Sequence, residues 1–517
     1  MMALRRTLPH WTLDQLLAGF ASTRSLPVAA VPVERLTLDS RSAGPGSLFL
    51  ACRGTRAHGL AYAAQARAHG CVAIAAEPDD HWGLAQLDRL AEDLDLPVVA
   101  VPDLARCAGA IAARFYDDPS AELELFGITG TNGKTSVSHF LAQALSQQRR
   151  CGIIGTLGSG FAGELLPGGL TTPDAVGLQA TLATLAERGA GAVAMEVSSH
   201  ALDQHRVDAV RFDYALFTNL TRDHLDYHSD MASYGAAKQR LFRLPGLQWA
   251  VLNRDDPFGR VIAADLAPGV RRALYSLDPD WQPDTEPADL WVRATALRPL
   301  VWGLAIQVET SLGPGDLTVR LLGRFNAANL LAVLAVLLAR GLGLAPALAT
   351  LARAHGVPGR MECFGGGETP LVVVDYAHTP DALEQALTNL RLHCGGRIIT
   401  VFGCGGERDR GKRPQMGAIA ERASDRVIVT DDNPRGEDGD AIISQICDGM
   451  ARPDQAVVER QRALAIRRAI ALAGRGDAVL VAGKGHETTQ DMGDLKVHFS
   501  DRAQVVQALS EWGGLGV

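Results

Sequence analysis

The sequence predicts an α/β fold of three domains, and three observations carry that prediction. The 517 residues exceed what one core holds, and a typical domain of about 150 residues gives about three. Short apolar runs alternate with helical segments, which is typical of parallel sheets covered on both faces. A glycine-rich loop between an apolar strand and a helix begins near residue 127, well inside the chain. We therefore expect a smaller N-terminal α/β domain (1–105), a doubly wound central domain (106–345) and a Rossmann-like C-terminal domain (346–517).

Each predicted domain has its own apolar strands. They lie at 47–51, 72–75 and 98–101, then at 192–197, 214–218 and 249–252, and finally at 371–374, 398–402, 426–430 and 478–482. Between residues 275 and 320 apolar and polar residues alternate, which predicts an antiparallel hairpin inserted in the central domain. The most apolar run, 330–339, is too short to cross a bilayer and predicts a buried helix.

The composition excludes several classes of protein. Apolar residues make up 47% and charged residues 21%, and the net charge of −8 comes without a basic cluster, so nucleic acid is not an expected partner. The eight cysteines form no Cys-x-x-Cys pair, which favours reduced thiols over a disulfide frame or a zinc site. We find no signal peptide and no segment long enough to span a membrane. We expect a cytoplasmic monomer that acts on small molecules.

Residues 127–135 read Gly-Ile-Thr-Gly-Thr-Asn-Gly-Lys-Thr and predict a phosphate-binding loop. Glycines let backbone N–H groups turn toward phosphate oxygens, and a helix N-terminus adds positive potential. Lys134 would reach the terminal phosphates and Thr135 a magnesium ion, so the chain is expected to use ATP or GTP. The general motif has glycine where this chain has Ile128. The alternative interpretation is a glycine-rich turn ahead of a helix.

Polar side chains follow the next two strands of the central domain. Glu196 closes a buried strand, where a carboxylate in a phosphate-loop domain typically holds Mg²⁺; the alternative is a solvated strand end. His224 follows the strand after it and could ligate a second metal as a neutral imidazole. Standing alone, its Asp-His-Leu-Asp sequence is more typical of a helix start. Lys238 lies on a predicted helix, and composition alone makes it a surface charge.

Four loops of the C-terminal domain follow the carboxyl ends of its strands, the edge where open parallel sheets bind ligands. Arg408 and Arg435 lie on two of these loops and can grip carboxylates in bidentate fashion. Glu487 supplies the opposite charge. These three residues would suit a zwitterion, although Asp432-Asn-Pro-Arg435 also fits a plain turn. Phosphoryl transfer to a carboxylate gives an acyl phosphate that an amine can attack, so the parts together describe an amide ligase.

Six ordered motifs, spread over nearly the whole chain, resemble those of the Mur ligase family. They are Gly-Thr-Asn-Gly-Lys-Thr (130–135), Met-Glu-Val-Ser-Ser-His (195–200), Thr-Asn-Leu-Thr-Arg-Asp-His-Leu-Asp-Tyr-His (218–228), Gly-Arg-Met-Glu (359–362), Asp-Tyr-Ala-His-Thr-Pro-Asp (375–381) and Gly-Lys-Gly-His-Glu (483–487). The resemblance implies an ATP-dependent ligase of peptidoglycan synthesis. It also implies Mg²⁺, held by Thr135, Glu196 and His224, and a carbamylated lysine at Lys238.

The resemblance assigns the remaining site residues by position. The implied ATP contacts are Gly130, Thr131, Asn132, Gly133, Lys134, Thr135, Ser136, Asn326, Arg360 and Asp375. A UDP-N-acetylmuramoyl dipeptide would lie across the first two domains, on Leu38, Ser40, Thr55, Arg56, Ala57, Thr171, Thr172, Ser198, Gln204 and Arg206.

The amino-acid substrate is implied by the C-terminal domain. Its implied contacts are Arg408, Asp432, Asn433, Pro434, Arg435, Gly483 and Glu487. Relatives that add meso-diaminopimelate carry Asp-Asn-Pro-Arg, as residues 432–435 do here, whereas lysine-adding relatives lack that arginine. Two rivals remain: a folylpolyglutamate synthetase, which has no need of an N-terminal nucleotide-sugar domain, and a nucleotide-binding switch, whose guanine-reading Asn-Lys-x-Asp is absent from the sequence.

Overall fold

A computed structural model describes residues 11–21, 30–54, 57–225, 227–283, 289–300 and 303–512. The described residues form two compact units. The first runs to Leu274 and includes Asp289, and the second contains residues 275–283 and everything from Leu290 onward. The predicted α/β class is confirmed in both units, while the boundaries of the three predicted domains stay a prediction. Among the described residues, no helix combines the length and the apolar character needed to cross a bilayer.

The first unit opens with a small parallel sheet. Its elements are β1 (Trp11–Thr12), α1 (Leu13–Leu17), β2 (Pro32–Val33), β3 (Arg35–Thr37), β4 (Ser47–Ala51), α2 (Ala63–Ala68), β5 (Cys71–Ala76), α3 (Leu84–Leu94), β6 (Val98–Ala100) and α4 (Leu104–Phe115). Strands β3, β4, β5 and β6 pair in that order, all parallel. Buried side chains cover both faces of the sheet, with α1 and α4 on one and α2 and α3 on the other. The three strands predicted here are confirmed.

A larger sheet follows in the same unit. Its elements are β7 (Glu124–Thr129), α5 (Lys134–Leu145), β8 (Cys151–Gly155), β9 (Gly158–Phe161), β10 (Glu164–Leu166), α6 (Ala175–Glu187), β11 (Ala192–Glu196), α7 (Ser199–Asp203), β12 (Tyr214–Phe217), α8 (Met231–Gln239), β13 (Trp249–Asn253), α9 (Pro257–Ala264) and β14 (Arg271–Ser276). The order is β10-β9-β8-β11-β7-β12-β13-β14. Strands β8, β11, β7, β12 and β13 are parallel, so β7, β11 and β12 bring their carboxyl ends to one edge.

The second unit begins with an antiparallel meander and a buried helix. Its first elements are β15 (Leu290–Leu300), β16 (Gly303–Thr310), β17 (Gly313–Val319), α10 (Arg324–Ala339) and α11 (Leu344–Leu351). The predicted antiparallel hairpin is confirmed as β15 and β16, and a third antiparallel strand, β17, pairs with β16. The predicted buried helix is confirmed as the second half of α10, whose residues from Leu330 to Leu338 are all buried.

The rest of the second unit is a mostly parallel sheet with helices on both faces. Its elements are β18 (Glu362–Gly365), β19 (Leu371–Asp375), α12 (Pro380–Arg391), β20 (Ile398–Phe402), α13 (Lys412–Ala423), β21 (Arg426–Val429), α14 (Gly439–Cys447), β22 (Val457–Val458), α15 (Arg462–Leu472), β23 (Ala478–Ala482), β24 (Thr489–Asp491), β25 (Lys496–His498) and α16 (Asp501–Glu511). The strand order is β18-β19-β23-β20-β21-β22, and only β18 is antiparallel. The loops after β19, β20, β21 and β23 therefore share one edge.

Candidate active site

The glycine-rich loop lies between β7 and α5, as predicted, and needs glycine at two positions. Gly130 and Gly133 have φ angles of 144° and 87°, a region that favours glycine. A Cβ atom at position 130 would lie 1.9 Å from Thr218 Oγ1, so a side chain there would push the loop away from the end of β12. Helix α5 begins directly at Lys134. The geometry is that of a phosphate-binding loop and not of a simple turn.

Asn219, just beyond β12, holds the loop in place. Its backbone oxygen accepts from the Thr131 N–H at 2.8 Å, and its side-chain oxygen accepts from the Asn132 N–H at 3.0 Å. Its side-chain N–H₂ group donates to the Asn132 carbonyl oxygen at 3.1 Å. Lys134 folds back over the loop and donates to the carbonyl oxygens of Gly130 and Thr131, both at 2.8 Å. The amine therefore already lies where phosphates bind in such loops.

Lys238 is buried beside this loop, so the composition-based interpretation of a surface charge is wrong. Its side chain is 1% exposed because α8 packs it against the loop. The amine donates to the Gly130 carbonyl oxygen at 2.9 Å and lies 4.3 Å from the centre of the Tyr234 ring. Burial, reinforced by the positive charge of Lys134, lowers the pKa of Lys238 well below its usual value. The neutral amine is therefore strongly favoured compared with an exposed lysine.

Glu196 ends β11 in a polar cradle, so the alternative of a solvated strand end is also wrong. The residue is 1% exposed. One carboxylate oxygen accepts from Thr135 Oγ1 at 3.0 Å and from Thr156 Oγ1 at 3.2 Å, and the other accepts from the Thr156 N–H at 2.8 Å. A Cβ atom at position 155 would lie 2.2 Å from Glu196 Oε1. Glycine at 155 therefore makes room for the carboxylate next to the first turn of α5.

These oxygen donors fit a magnesium ion. In the described part of the chain, no three His, Cys, Asp or Glu side chains form a preassembled metal cluster. Mg²⁺ usually takes one or two protein ligands together with substrate phosphates and water. A buried carboxylate hydrogen-bonded to the hydroxyl of Thr135, directly after the phosphate-loop lysine, provides that ligand set.

His224 lies in the loop after β12, with a left-handed backbone angle of 53°. Its ring is centred 5.0 Å from that of His200 and 6.0 Å from that of Tyr234. Its Nε2 atom lies 3.5 Å from an oxygen of Asp223, and both side chains are about half exposed. Helix α8 starts later, capped by Asp230, so the Asp-His-Leu-Asp sequence does not start a helix. His224 stays accessible to a ligand from solvent.

The residues assigned to the sugar and peptide lie together beyond β11. Thr172 Oγ1 donates to the Glu196 carbonyl oxygen at 2.9 Å and accepts from the Ser198 N–H at 3.1 Å. Arg206 donates to the Thr172 carbonyl oxygen at 2.9 Å and to the side-chain oxygen of Gln204 at 3.1 Å. Thr171 Oγ1 lies 3.1 Å from Thr156 Oγ1. The set forms one connected polar surface next to Glu196.

The described residues assigned to the uridine end lie in loops beside the small N-terminal sheet. Ser40 is buried and donates to Gln65 Oε1 at 2.8 Å, and its carbonyl oxygen lies 2.9 Å from His69 Nδ1. The sequence offered no signal for Gln65 or His69, since both lie in an alanine-rich helical stretch. Leu38 packs partly buried at the edge of the core, and Ala57 is exposed. Thr55 and Arg56 lie outside the described residues.

Three residues of the second unit are assigned to the nucleotide. Asn326 is buried in the first turn of α10, where it donates to the Leu322 carbonyl oxygen at 2.8 Å. Asp375 ends β19 and accepts from the Met361 N–H at 2.7 Å. Burial raises the pKa of Asp375, and the charge of Arg360 opposes that shift. Asp375 is therefore close in space to Arg360, while Asn326 is tied to its own helix.

The Arg360 guanidinium lies over the Tyr376 ring, 4.9 Å from its centre. Its Nε atom is buried and, among the described residues, has no hydrogen-bond partner. His486, whose ring is 5.1 Å from that of Tyr376, likewise leaves Nδ1 buried and unpaired in the described structure. Burial, with the Arg360 charge, lowers the pKa of His486 to about 4. Unpaired buried polar atoms of this kind are ordinarily satisfied by a ligand or water.

The predicted amino-acid pocket is assembled from the loops after β20, β21 and β23. A Cβ atom at position 405 would lie 3.0 Å from Arg435 Nη1 and 3.7 Å from Arg408 Cγ, so both arginines flank Gly405. Arg435 also donates to the Gly406 carbonyl oxygen at 2.7 Å. Pro434 closes the loop from the other side, since a Cβ atom at position 406 would meet its carbonyl oxygen.

Asn433 connects these loops, and residues 432–434 are buried, so this segment is not an exposed turn. Its side-chain N–H₂ group donates to Glu487 Oε2 at 2.9 Å. Its oxygen accepts from Lys484 Nζ and from the Asp491 N–H, each at 2.9 Å. The structure thus brings together Arg408, Arg435 and, through Asn433, Glu487.

Lys484 is a site residue that sequence reasoning missed. It is fully buried and also donates to Glu487 Oε2 at 2.9 Å. Burial alone would raise the pKa of Glu487, but the hydrogen bonds from Lys484 and Asn433 reverse the shift and lower it. The available signal was a lysine between two glycines directly after a buried strand, a position with no room for an exposed charge.

Asp432 and Gly483 lie against each other within the same cluster of loops. Gly483 has a φ angle of 117°, and a Cβ atom there would lie 2.4 Å from Asp432 Oδ2. Asp432 is buried; burial raises its pKa, while the charges of Arg462 and Lys484 oppose the shift. Arg462 is in turn paired with Asp501 at 2.7 Å, both fully buried. The pocket therefore rests on buried, paired charges.

Comparison with known proteins covers the same regions. Three family models match in order: the Mur ligase family catalytic domain at residues 32–116, the Mur ligase middle domain at 128–337 and the Mur ligase glutamate ligase domain at 359–485.

Full-length relatives are also found. A UDP-N-acetylmuramoyl-L-alanyl-D-glutamate--2,6-diaminopimelate ligase from Alkalilimnicola ehrlichii is 53% identical over 485 residues, 93% of this chain and 96% of the relative. The ligase of the same name from Pseudomonas aeruginosa is 50% identical, with the same coverage. A solved structure of a ligase of that name superposes with a TM-score of 0.70 at 32% identity, over 97% of this chain and 99% of the other.

The family models match in the order in which the phosphate loop, the Glu196 cradle and the paired-arginine pocket occur, and the relatives extend over nearly the whole chain. This chain therefore belongs to the Mur ligase family.

Proposed function

We propose that this ATP-dependent ligase joins meso-2,6-diaminopimelate to UDP-N-acetylmuramoyl-L-alanyl-D-glutamate in peptidoglycan synthesis. One observation carries the proposal: Arg408 and Arg435 flank Gly405, and Asn433 links their loops to Glu487. Two guanidinium groups and one carboxylate match a substrate that has two carboxylates and amino groups. The names of the relatives that are about half identical support the same substrates.

The first chemical step is phosphoryl transfer from ATP to the substrate carboxylate. Lys134 would shift from its present carbonyl acceptors to the phosphoryl oxygens and neutralise charge as it develops there. Magnesium, when bound, would add positive charge at the same oxygens, and Thr135 and Glu196, with His224, are the residues that would hold it. The amine of the amino acid then attacks the carbonyl carbon, the C–N bond forms, and inorganic phosphate leaves.

Lys238 acts in this proposal as a carbamate. A neutral amine adds to CO₂ with loss of one proton, and the product carries a negative charge. Burial keeps the amine neutral and so able to react with CO₂, while the positive charge of Lys134 would stabilise the anionic product. The resulting anion would lie next to Gly130 and Lys134, where it would balance the positive charge around the phosphate loop.

The arginines explain the choice of diaminopimelate over lysine. L-Lysine lacks the distal carboxylate, so the mostly buried Arg435 would keep only its present partners, the Gly406 carbonyl oxygen and Asp491, and would gain no substrate anion. A site built this way rejects the smaller substrate by about 10²-fold or more. Arg435 is only about one quarter exposed, which makes this desolvation argument applicable.

Phosphate release tests the proposal directly. The purified protein is supplied with ATP, Mg²⁺ and the nucleotide dipeptide, and a panel of amino acids is added one at a time. We expect release with meso-diaminopimelate to be about 10²-fold or more faster than with L-lysine. Equal turnover with L-lysine would refute the substrate assignment, and release with a folate and glutamate instead would favour the folylpolyglutamate synthetase alternative.

Location and oligomeric state complete the proposal. Since ATP is consumed in the cytoplasm, we place the enzyme there. We also propose that it is a monomer, because each group assigned to the phosphate loop and to the amino-acid pocket comes from the one chain. Light scattering at assay concentration tests the oligomeric state, with a mass near 54.9 kDa expected.

A further inference from the structure

Behind the residues assigned to the peptide lies a short hydrogen-bonded chain that the function described so far does not use. Tyr227 OH donates to Asp203 Oδ2 at 2.9 Å. The side-chain N–H₂ group of Gln204 donates to the Tyr227 oxygen at 3.1 Å. Gln204 Oε1 then accepts from Arg206 Nε at 3.1 Å and also from Nη2. All four residues lie in the first unit, after β11.

The direction of every hydrogen bond in this series is determined by Asp203, its first member. Asp203 is an acceptor when ionised, and its second oxygen lies 3.4 Å from Arg240. Tyr227 has one proton, which it gives to Asp203, so its oxygen is left to accept. Gln204 must therefore turn its N–H₂ group toward Tyr227 and its oxygen toward Arg206. The opposite amide orientation would place N–H₂ against the guanidinium, where no acceptor remains.

The Tyr227 ring is itself held in place. It packs against the His200 ring at a centroid distance of 4.1 Å, and His200 follows the Ser198 cap at the start of α7. Aromatic pairs at this separation restrict ring orientation. The hydroxyl group is thus fixed at the point where Asp203 and Gln204 meet it.

Arg206 is the last residue of this hydrogen-bonded series, and its guanidinium is the group that would meet an anion. Gln204 Oε1 and the Thr172 carbonyl oxygen take three of its donors, and a guanidinium has five. Within the described residues these bonds leave two guanidinium donors for a carboxylate, which suits bidentate binding. Burial lowers the pKa of Arg206, so an anionic ligand gains from meeting a poorly hydrated cation.

We infer that Tyr227, held by Asp203, is a positioning residue that sets the amide orientation of Gln204 and through it aims Arg206 at the peptide carboxylate of the nucleotide substrate. The inference rests on the proposed function, because Gln204 and Arg206 meet that substrate only under it. Tyr227 itself touches neither the substrate nor the reacting atoms.

The test is Tyr227→Phe, which removes only the hydroxyl group. We expect the KM for the nucleotide dipeptide to rise about fivefold to tenfold, the effect of one lost hydrogen bond. The kcat at saturation and the KM for ATP should change less than about twofold, because the phosphate loop is not involved. Tyr62→Phe, at a half-exposed tyrosine of the N-terminal sheet, is the matched control and should behave as wild type.

A double-mutant cycle separates positioning from general packing. Gln204→Leu alone should raise the same KM, and adding Tyr227→Phe to it should change the KM less than about twofold further, since the two residues act through one path. Additive effects would refute the inference. So would a wild-type KM in Tyr227→Phe.

Asp203→Asn provides a second route if Tyr227→Phe lowers the melting temperature. Arg240 lies 3.4 Å from the other oxygen of Asp203, so the cation holds the amide oxygen of the variant on that side and the N–H₂ group faces the Tyr227 oxygen. The tyrosine proton then turns toward Gln204 and reverses its amide. We expect a raised KM for the nucleotide dipeptide, and wild-type binding would overturn the inference. If the wild-type enzyme uses the nucleotide dipeptide and both variants have the wild-type KM for it, this inference is refuted and the proposed function stands. If the wild-type enzyme does not use the dipeptide at all, the proposed function is refuted.

Discussion

The side-chain amines of Lys134 and Lys238 donate to the same carbonyl oxygen, that of Gly130, at 2.8 and 2.9 Å. Two ammonium groups so close together repel each other in a buried site. Lys238 is the more deeply buried of the two and therefore gives up its proton more readily. Lys238, on helix α8 beside the phosphate loop, is therefore the lysine whose neutral form is favoured.

Lys238→Ala should reduce turnover by about 10²-fold or more, because it removes both the amine and the carbamate that it is proposed to form. Short-chain carboxylates such as formate or acetate should restore part of the activity by supplying the lost anion. Turnover is measured as phosphate release, with chloride at equal ionic strength as the control salt. Full activity without any carboxylate would mean that the buried amine has no role in the reaction.

Glu196→Gln should raise the Mg²⁺ concentration needed for half-maximal turnover by about tenfold or more, because an amide is a far weaker ligand for a hard cation than a carboxylate. The change keeps the volume of the side chain and leaves an oxygen to accept from the Thr156 N–H. Phosphate release is titrated with Mg²⁺ at saturating ATP. An unchanged Mg²⁺ requirement would place the metal away from the end of β11.

The sequence predicted the strands and the fold class well because the spacing of apolar residues along the chain differs between strands and helices. Each strand that we expected is present, displaced by at most a residue or so at either end. Short edge strands such as Val457–Val458 and Glu362–Gly365 were not predicted. A short run at the edge of a sheet has too few buried positions to produce a pattern.

The site was predicted only in part, because the neighbouring residues in the sequence do not show whether a charged side chain is buried. Lys238 follows two alanines on a helix and is indistinguishable by composition from an exposed lysine. Its burial comes from the Gly130 loop, which is distant in sequence. Tyr227 and Gln65 were missed because their partners are known only once the strands are placed, whereas Lys484, between two glycines after a buried strand, could have been found from the sequence.

Arg435→Ala should lower kcat/KM for meso-diaminopimelate by about 30-fold to 1,000-fold, which corresponds to ~2–4 kcal/mol for a carboxylate that loses its partner. Activity with L-lysine, measured in the same assay, should not fall. Arg422→Ala is the control, since this exposed arginine pairs with Glu384 on the surface of the second unit. Equal losses with both amino acids would indicate that Arg435 supports the loop and does not contact the distal carboxylate.

Lys484→Met should raise the KM for the amino acid by about tenfold or more, because Asn433 and Glu487 each lose a charged donor. The methionine keeps most of the lysine volume, so the buried position stays filled. The KM for ATP should be unaffected, which distinguishes loss of the pocket from general unfolding. A parallel rise in both constants, together with a lower melting temperature, would reduce Lys484 to a structural role.

Glu437 should make stability depend on pH in the acid range. Arg413 donates to both of its oxygens, at 3.0 and 3.2 Å, and ties α13 to the loop that carries Arg435. The hydrogen bond from Arg413 is the largest cause that lowers the pKa of Glu437 from 4.5 to about 2. The folded state therefore binds this proton more weakly than the unfolded state does.

A carboxyl group whose folded pKa is depressed stabilises the protein fully above its unfolded pKa, and the contribution is lost as the pH falls toward the folded pKa. The free energy of unfolding should thus decrease between pH 4.5 and about pH 2, and Glu437→Gln should make that decrease shallower. Denaturant titrations at several pH values measure it, with Glu384→Gln as the exposed ion-pair control. If the slopes of the wild type and Glu437→Gln coincide, the ion pair between Arg413 and Glu437 does not contribute to stability in this pH range, and the link between α13 and the loop of Arg435 must depend on other contacts, such as the hydrogen bond from Arg413 to the Gly405 carbonyl oxygen.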